Sequence, residues 1–177
     1  MVSSNSLFDS SVLGNSVASM VPDNHKIRPL ELTDYHKGYL ECLSNLTVVG
    51  NVTEQMFGDS FEEMQRTGSY FVVVVEDLAS KKVVASGTLL VEQKFHRGCG
   101  RVGHIEDIVV AKGQQGKRFG FTIVKQLLEI ANATGCYKSI LDCDAANAPF
   151  YEKCGMENKG VQMAVYAPDT ASKKSLL

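Results

Sequence analysis

Two adjacent carboxylates, Glu106 and Asp107, end the segment GHIED at 103–107. After the intervening IVVAK comes a glycine-spaced stretch, GQQGKRFG, at 113–120. Carboxylates in a strand can take a proton from an amine or accept a hydrogen bond from a hydroxyl. A glycine-broken turn opening a helix offers something different. Its backbone N–H groups point outward, carry partial positive charge, and hold phosphate oxygens. Gly116 and Gly120 let a bulky diphosphate approach the main chain, and Lys117 and Arg118 add charge. Together the two features suit a polar reactant and a phosphate-bearing one handled side by side. On spacing alone, a plain turn reads as well as an anion loop. The stretch is neither a P-loop, since no Gly-Lys-Ser/Thr follows, nor the Rossmann G-x-G-x-x-G. Strand alternation predicts that Glu106 and Asp107 face opposite sides of their sheet.

Other chemistry-bearing residues lie outside that segment. Asp142 ends SILDCD, with Cys143 beside it and Asp144 as a candidate helix cap. Tyr151 stands in PFYEK, where Phe150 reads as the core member of the pair. The KFHR stretch supplies Lys94, Phe95, His96 and Arg97 just before the acidic strand. His104 shares a face with Glu106 and reads equally as a structural histidine. A cysteine relay through Cys143 would need a cation or base to depress its pKa, and none is adjacent in sequence. Five cysteines without a C-x-x-C pair give no zinc or disulfide pattern, so no metal is expected.

Positioning these groups requires a folded body. The chain has 177 residues, of which 44% are hydrophobic and 21% charged, as in one globular domain. A net charge of −2 gives no general drive toward nucleic acid or membrane. No apolar run of about 18 residues predicts a membrane span. The N-terminus lacks a secretory pattern, so a cytoplasmic protein is expected. Residues 1–24, rich in Ser and Asn, read as a flexible tail, residues 25–166 as the domain, and 167–177 as a frayed end. Within the domain, HKIRPLEL reads as a strand, and Thr33 and Asp34 as caps of a helix through Tyr35, Tyr39, Leu40 and Leu43. TEQMFGDSFEEMQRTG reads as a weaker helix or two short turns. YFVVVVED and KKVVASGTLLVEQKF form a hairpin, RVGHIEDIVV the next strand, and FGFTIVKQLLEIANA a strong amphipathic helix. CYKSILDCD, a short helix at Pro149, and GVQMAVYA as a last strand complete the order. The fold class is α/β: one mixed sheet with helices on both faces.

The loop and its surroundings then carry a resemblance. A strand, Gln-Gln-Gly-Lys-Arg-Phe-Gly and an amphipathic helix together resemble the acetyl-CoA signature Arg/Gln-x-x-Gly-x-Gly/Ala of the GNAT acetyltransferases. Gln115 begins it, Gly120 ends it, and Arg118 stands where some members carry glycine. Three further blocks, GHIEDIVV, GCYKSILDCDAAN and PFYEKCGMENKGVQM, with LTVVG at 46–50, resemble the glucosamine-6-phosphate N-acetyltransferases within that superfamily. The similarity spans roughly 25–166.

The resemblance implies a GNAT fold, a mostly antiparallel twisted sheet whose strands splay at the acetyl-CoA site. It implies direct acetyl transfer in a ternary complex to the 2-amino group of glucosamine 6-phosphate, a step of UDP-N-acetylglucosamine biosynthesis. Acetyl-CoA is then the cosubstrate, held by Ile108, Val109 and Val110 of the strand and by Gln115, Gly116, Lys117, Arg118, Phe119 and Gly120 of the loop. Asn147, Tyr151 and Lys153 complete that set, with helix capping an open alternative for Asn147. Glu106 removes the amine proton, Asp107 touches substrate, Asp142 orients the amine, and Tyr151 protonates the leaving thiolate. Thr47, Lys94, Phe95, His96 and Arg97 hold the sugar phosphate. A homodimer through the C-terminal strand is implied, although Tyr166 stands where relatives place a basic residue reaching the partner's site. Another primary amine as acceptor, or a non-catalytic acetyl-CoA-binding module, are the competing readings. Retention of both acids and Tyr151 argues against the module.

Overall fold

The run Phe71–Val75 is β-branched or aromatic and unbroken, which suits a strand covered on both faces. It forms the middle of β2 (Tyr70–Asp77), and all five residues are buried. A computed structural model of the chain describes residues 5–165. Strand β1 (His25–Pro29) pairs antiparallel with β2, β2 with β3 (Lys82–Gln93), and β3 with β4 (Arg101–Val110). β5 (Cys136–Ile140) joins parallel to β4, so the order is β1-β2-β3-β4-β5. This is the mixed, mostly antiparallel sheet expected.

Helices cover both faces. Helix α5 (Phe119–Ala133) buries Phe119, Ile123, Val124, Leu127, Ile130 and Ala131. It lies so close to β3 that a Cβ on Gly87 would come within 2.5 Å of Ile123 Cγ2 and Ile108 Cδ1. Ser86, next in β3, points the other way and meets the Tyr39 hydroxyl of helix α2 (Tyr39–Leu43). The outer helix α3 (Glu54–Thr67) is longer and firmer than its sequence suggests. Thr53 Oγ1 caps it by accepting the Met56 N–H at 3.2 Å, and Gly68 ends it at φ 65°.

Three expectations are corrected. Asp34 does cap, but not the expected helix: Leu32–Tyr35 is a single 3-10 turn whose capping box Asp34 closes by accepting the Glu31 N–H at 2.8 Å, and the side chain is fully buried on Arg28. Arg28 donates to both Asp34 oxygens at 2.8 and 2.7 Å and, through Nε, to Glu76 at 2.8 Å. Residues 5–24 do not form a loose tail. Leu7, Phe8 and Val17, diluted among serines and asparagines, are buried, and the Leu7 N–H bonds the Leu30 carbonyl at 2.9 Å. Part of this segment is the short helix α1 (Asn15–Ala18). Finally, residues 160–165 carry no strand, and Val161, Met163 and Val165 are each about nine-tenths exposed. Strand pairing needs a neighbouring ladder, and alternation alone supplies none. Tyr166 and the end segment 167–177 lie outside the described residues.

The chain divides into two compact units, one ending at Leu141 and the other beginning at Asp142. The first holds the sheet. The second holds a 3-10 turn, Ala145–Asn147, and helix α6 (Ala148–Lys153), with Pro149 in its first turn.

Candidate active site

The acidic pair sits on an irregularity in β4. Ser86 of β3 faces Val109 and Thr88 faces Glu106, so Gly87 stands against two residues, Asp107 and Ile108. That is a β-bulge, and Asp107 is its left-handed residue at φ 55°. Aspartate tolerates this conformation better than most side chains. The bulge breaks the alternation predicted from sequence. Gly103 faces Ala131 of α5 before it, and Ile108 faces Ile123 of α5 after it, so the face parity has changed. Glu106 therefore lies on the side away from α5. By the same count Asp107, between Glu106 and the α5-facing Ile108, falls on that side too. Both acids are exposed and share the α2 face, a correction to the expected opposite placement.

Just before the acids, β4 loses its parallel neighbour. Its pairing with β5 ends at His104 opposite Ile140, while β4 continues to Val110. Ile108 and Val110 are half-buried there and Val109 is buried. The chain then turns through Gly113 (φ 83°), Gly116 (φ 82°) and Arg118 (φ 65°) into α5. No side chain caps that helix, so its first N–H groups are available to an anion. Gln115 Oε1 accepts the Gly113 N–H at 2.8 Å and Lys117 Nζ donates to Gln114 Oε1 at 2.7 Å, tightening the loop. The Arg118 guanidinium lies 5.0 Å from the Phe121 ring centre. Phe119 is buried, its ring 4.8 Å from His25, so of its groups only the backbone can face a ligand. Gly120 follows in the first helical turn.

The basic segment before β4 is occupied with its own neighbours. Lys94 and His104 each engage one oxygen of Glu92, His104 at 2.8 Å. These hydrogen bonds hold the Glu92 carboxyl below its ordinary pKa, Lys94 contributing most. His104 is thus a partnered histidine. His96 and Arg97 belong to the short turn α4 (His96–Cys99), and the Arg97 guanidinium stacks 5.0 Å from the Tyr137 ring centre. Phe95 is 99% exposed. Thr47 is exposed, and its N–H bonds the last turn of α2 at Leu43 O, 3.3 Å away. Sequence reading passed over Glu92, which stands two residues before Lys94, and Tyr137, which only the pairing of β5 with β4 brings to this segment.

In the second unit, Asp142, Cys143, Asp144 and Asn147 are exposed. Asp144 takes the N-cap position of the 3-10 turn, but only its carbonyl accepts, from the Asn147 N–H at 2.8 Å. Asn147 precedes α6 without a side-chain cap bond, and Lys153 lies in the last turn. Tyr151 packs edge-on against Phe150 at 4.9 Å between ring centres. Burial pushes its phenol above the usual value, with Cys143, Cys154 and Asp142 adding in the same direction. A phenol so placed stays protonated at neutral pH and is a hydrogen-bond donor. Among the described residues, no group of three or more His, Cys, Asp or Glu is placed to hold a metal.

Residues 26–156 match the acetyltransferase (GNAT) family. Glucosamine 6-phosphate N-acetyltransferase 1 of Dictyostelium discoideum is 46% identical over 153 residues, 86% of this chain and 97% of that protein. The crystal structure of glucosamine-6-phosphate N-acetyltransferase from Arabidopsis thaliana superposes with a TM-score of 0.80 at 46% identity, over 81% of this chain and 99% of that one. An acetyltransferase structure from Trypanosoma brucei follows at 0.76 and 33% identity, over 81% and 99%.

Proposed function

The chain belongs to the acetyltransferase (GNAT) family, and from that premise we propose that it moves the acetyl group of acetyl-CoA to the 2-amino group of glucosamine 6-phosphate. The observation that carries this is β4 itself. One strand presents two exposed carboxylates at a bulge, loses its parallel neighbour, and runs into an uncapped helix behind a glycine loop. Such a strand suits an amine at its acids and a diphosphate at its end. The relatives named above supply the acceptor.

In this reading the three components meet in a ternary complex. The amine nitrogen attacks the thioester carbon, and its proton passes to Glu106, directly or through water. A backbone N–H of β4 beyond the end of its pairing with β5 polarises the carbonyl oxygen. The carbon–sulfur bond then breaks, and the Tyr151 phenol protonates the departing thiolate. Asp107 and Asp142 orient the acceptor. The loop from Gln115 to Gly120 takes the pyrophosphate on main-chain N–H groups, with Lys117 and Arg118 beside it. Ile108, Val109 and Val110, with Asn147 and Lys153, line the pantetheine. Thr47, Lys94, His96 and Arg97 bind the sugar phosphate, Phe95 packs beside it, and Lys94 and Arg97 exchange Glu92 and Tyr137 for that anion. The reaction belongs to UDP-N-acetylglucosamine synthesis in the cytoplasm.

A thiol-release assay with acetyl-CoA and a panel of amines tests the substrate. Turnover on glucosamine 6-phosphate is expected. Activity confined to arylalkylamines or peptides would overturn the reading. Tyr151→Phe is expected to lower kcat roughly ten- to a thousandfold, and an unchanged rate where chemistry limits turnover would reduce Tyr151 to packing. We further propose a homodimer through the C-terminal segment. Val161, Met163 and Val165 alternate along it and are exposed in the single chain, and strand exchange with a second copy would cover them. Sedimentation is expected to give a dimer at assay concentration, and a fully active monomer would refute it.

A further inference from the structure

Between the acceptor segment 46–50 and the cofactor loop stands one side chain whose amide bonds through both its nitrogen and its oxygen. Asn45 donates through Nδ2 to the Glu41 carbonyl at 2.9 Å and the Cys42 carbonyl at 3.0 Å. These are carbonyls of α2's last turn, where Glu41 O also accepts the Ser44 hydroxyl at 2.7 Å and Cys42 O the Asn45 N–H at 3.1 Å. Its Oδ1 accepts the N–H of Lys112 at 3.1 Å. Two donors and one acceptor are thereby committed, so the side chain has one orientation. Lys112 immediately precedes Gly113, where the loop leaves β4. Two residues beyond Asn45 is Thr47, whose own N–H is held by the same turn of α2. A second anchor lies beside it: the Ala111 N–H donates to the Val84 carbonyl of β3 at 2.9 Å. Beyond Ala111 the loop is anchored by Gln114 N–H to the Ala111 carbonyl at 3.0 Å.

We infer that Asn45 is a positioning residue that joins the acceptor segment to the cofactor loop, so that filling one site helps to order the other. The inference rests on the proposed acetyl-CoA and glucosamine 6-phosphate sites. The physical basis is simple. Ordering the glycine loop around a pyrophosphate fixes the Lys112 N–H, which fixes Asn45, and Asn45 fixes the turn carrying Thr47. By reciprocity the amino sugar phosphate must tighten CoA binding by the same factor. Nothing in this chain of contacts touches reacting atoms, so the effect should appear in binding cooperativity before it appears in the chemical step.

Calorimetry on the full chain tests it, measuring the Kd of glucosamine 6-phosphate with and without saturating CoA. The wild type is expected to bind the sugar about tenfold tighter when CoA is present. Asn45→Ala should reduce that ratio to below about twofold, and to the same extent in the reverse titration. Asn45→Asp keeps an oxygen for the Lys112 N–H while losing the two donor bonds to α2. It should keep most of the coupling, even where its melting temperature falls as far as that of Asn45→Ala. A wild-type ratio near one, or an unaltered ratio in Asn45→Ala, overturns the inference. Equal loss of coupling in both variants also overturns it, because the effect would then follow stability. Failure of the wild type to bind glucosamine 6-phosphate with or without CoA would instead refute the proposed substrate.

Discussion

Replacing Glu106 by glutamine will lower kcat by about a hundredfold or more, while the affinity for CoA stays within about twofold of wild type. The side chain keeps its size and loses only the ability to hold a proton. CoA contacts are assigned to the strand beyond it and to the loop that starts at Gly113. Asp107→Asn is the paired variant, and its design follows from the backbone. Asp107 sits at φ 55° in the bulge, and asparagine shares aspartate's tolerance of that region. Asp107→Ala would mix lost chemistry with backbone strain, whereas Asp107→Asn reads the carboxylate alone. Stopped-flow turnover and calorimetry separate the outcomes. If CoA affinity collapses in Glu106→Gln while single-turnover chemistry is normal, the acids are structural.

Asp34→Ala will destabilise the fold by about 3–5 kcal/mol, the usual cost of leaving one partner of a buried ion pair alone. Arg28 is 5% exposed and Asp34 fully buried, joined by two hydrogen bonds, and Glu76 completes the site. With Asp34 gone, the guanidinium keeps Glu76 and the Pro29 carbonyl but has two fewer charged acceptors. Arg28→Met together with Asp34→Leu should recover much of the loss, since replacing both partners removes the unpaired charge. Urea denaturation reads both, and a single-variant loss below about 1 kcal/mol would show that water reaches the site. The same cluster sets an acid limit. Burial works against the Glu76 carboxylate, but Arg28 and Lys37 outweigh it and hold the group below its ordinary value of 4.5. A carboxyl with a depressed folded pKa contributes stability above the unfolded value. That contribution disappears as pH falls through the folded one. Glu76→Gln should therefore flatten the decline in stability below about pH 4.5.

The sequence carried the elements that local chemistry alone specifies. Phe71–Val75 reads as a central strand because it is apolar without interruption. The helix from Phe119 reads from its 3.6-residue stripe, and the anion loop from its glycines. Other features depended on residues far apart in the chain. Strand alternation is a local rule, and it placed Glu106 and Asp107 on opposite faces. The bulge opposite Gly87 overrides it, because Ile108 must reach the space between β3 and Ile123. Asp34 has the composition of a cap and closes the turn's capping box, yet Arg28, itself held by Glu76 48 residues away, fixes it in the interior. Leu7, Phe8 and Val17 lack any helical or strand period that would announce burial, and only the surface beneath them makes them core. At the other end, Val161, Met163 and Val165 have a strand's period, but periodicity cannot supply the neighbouring ladder that makes a strand. Residue type and spacing determined the chemistry on offer, and which side chains meet was decided by long-range packing.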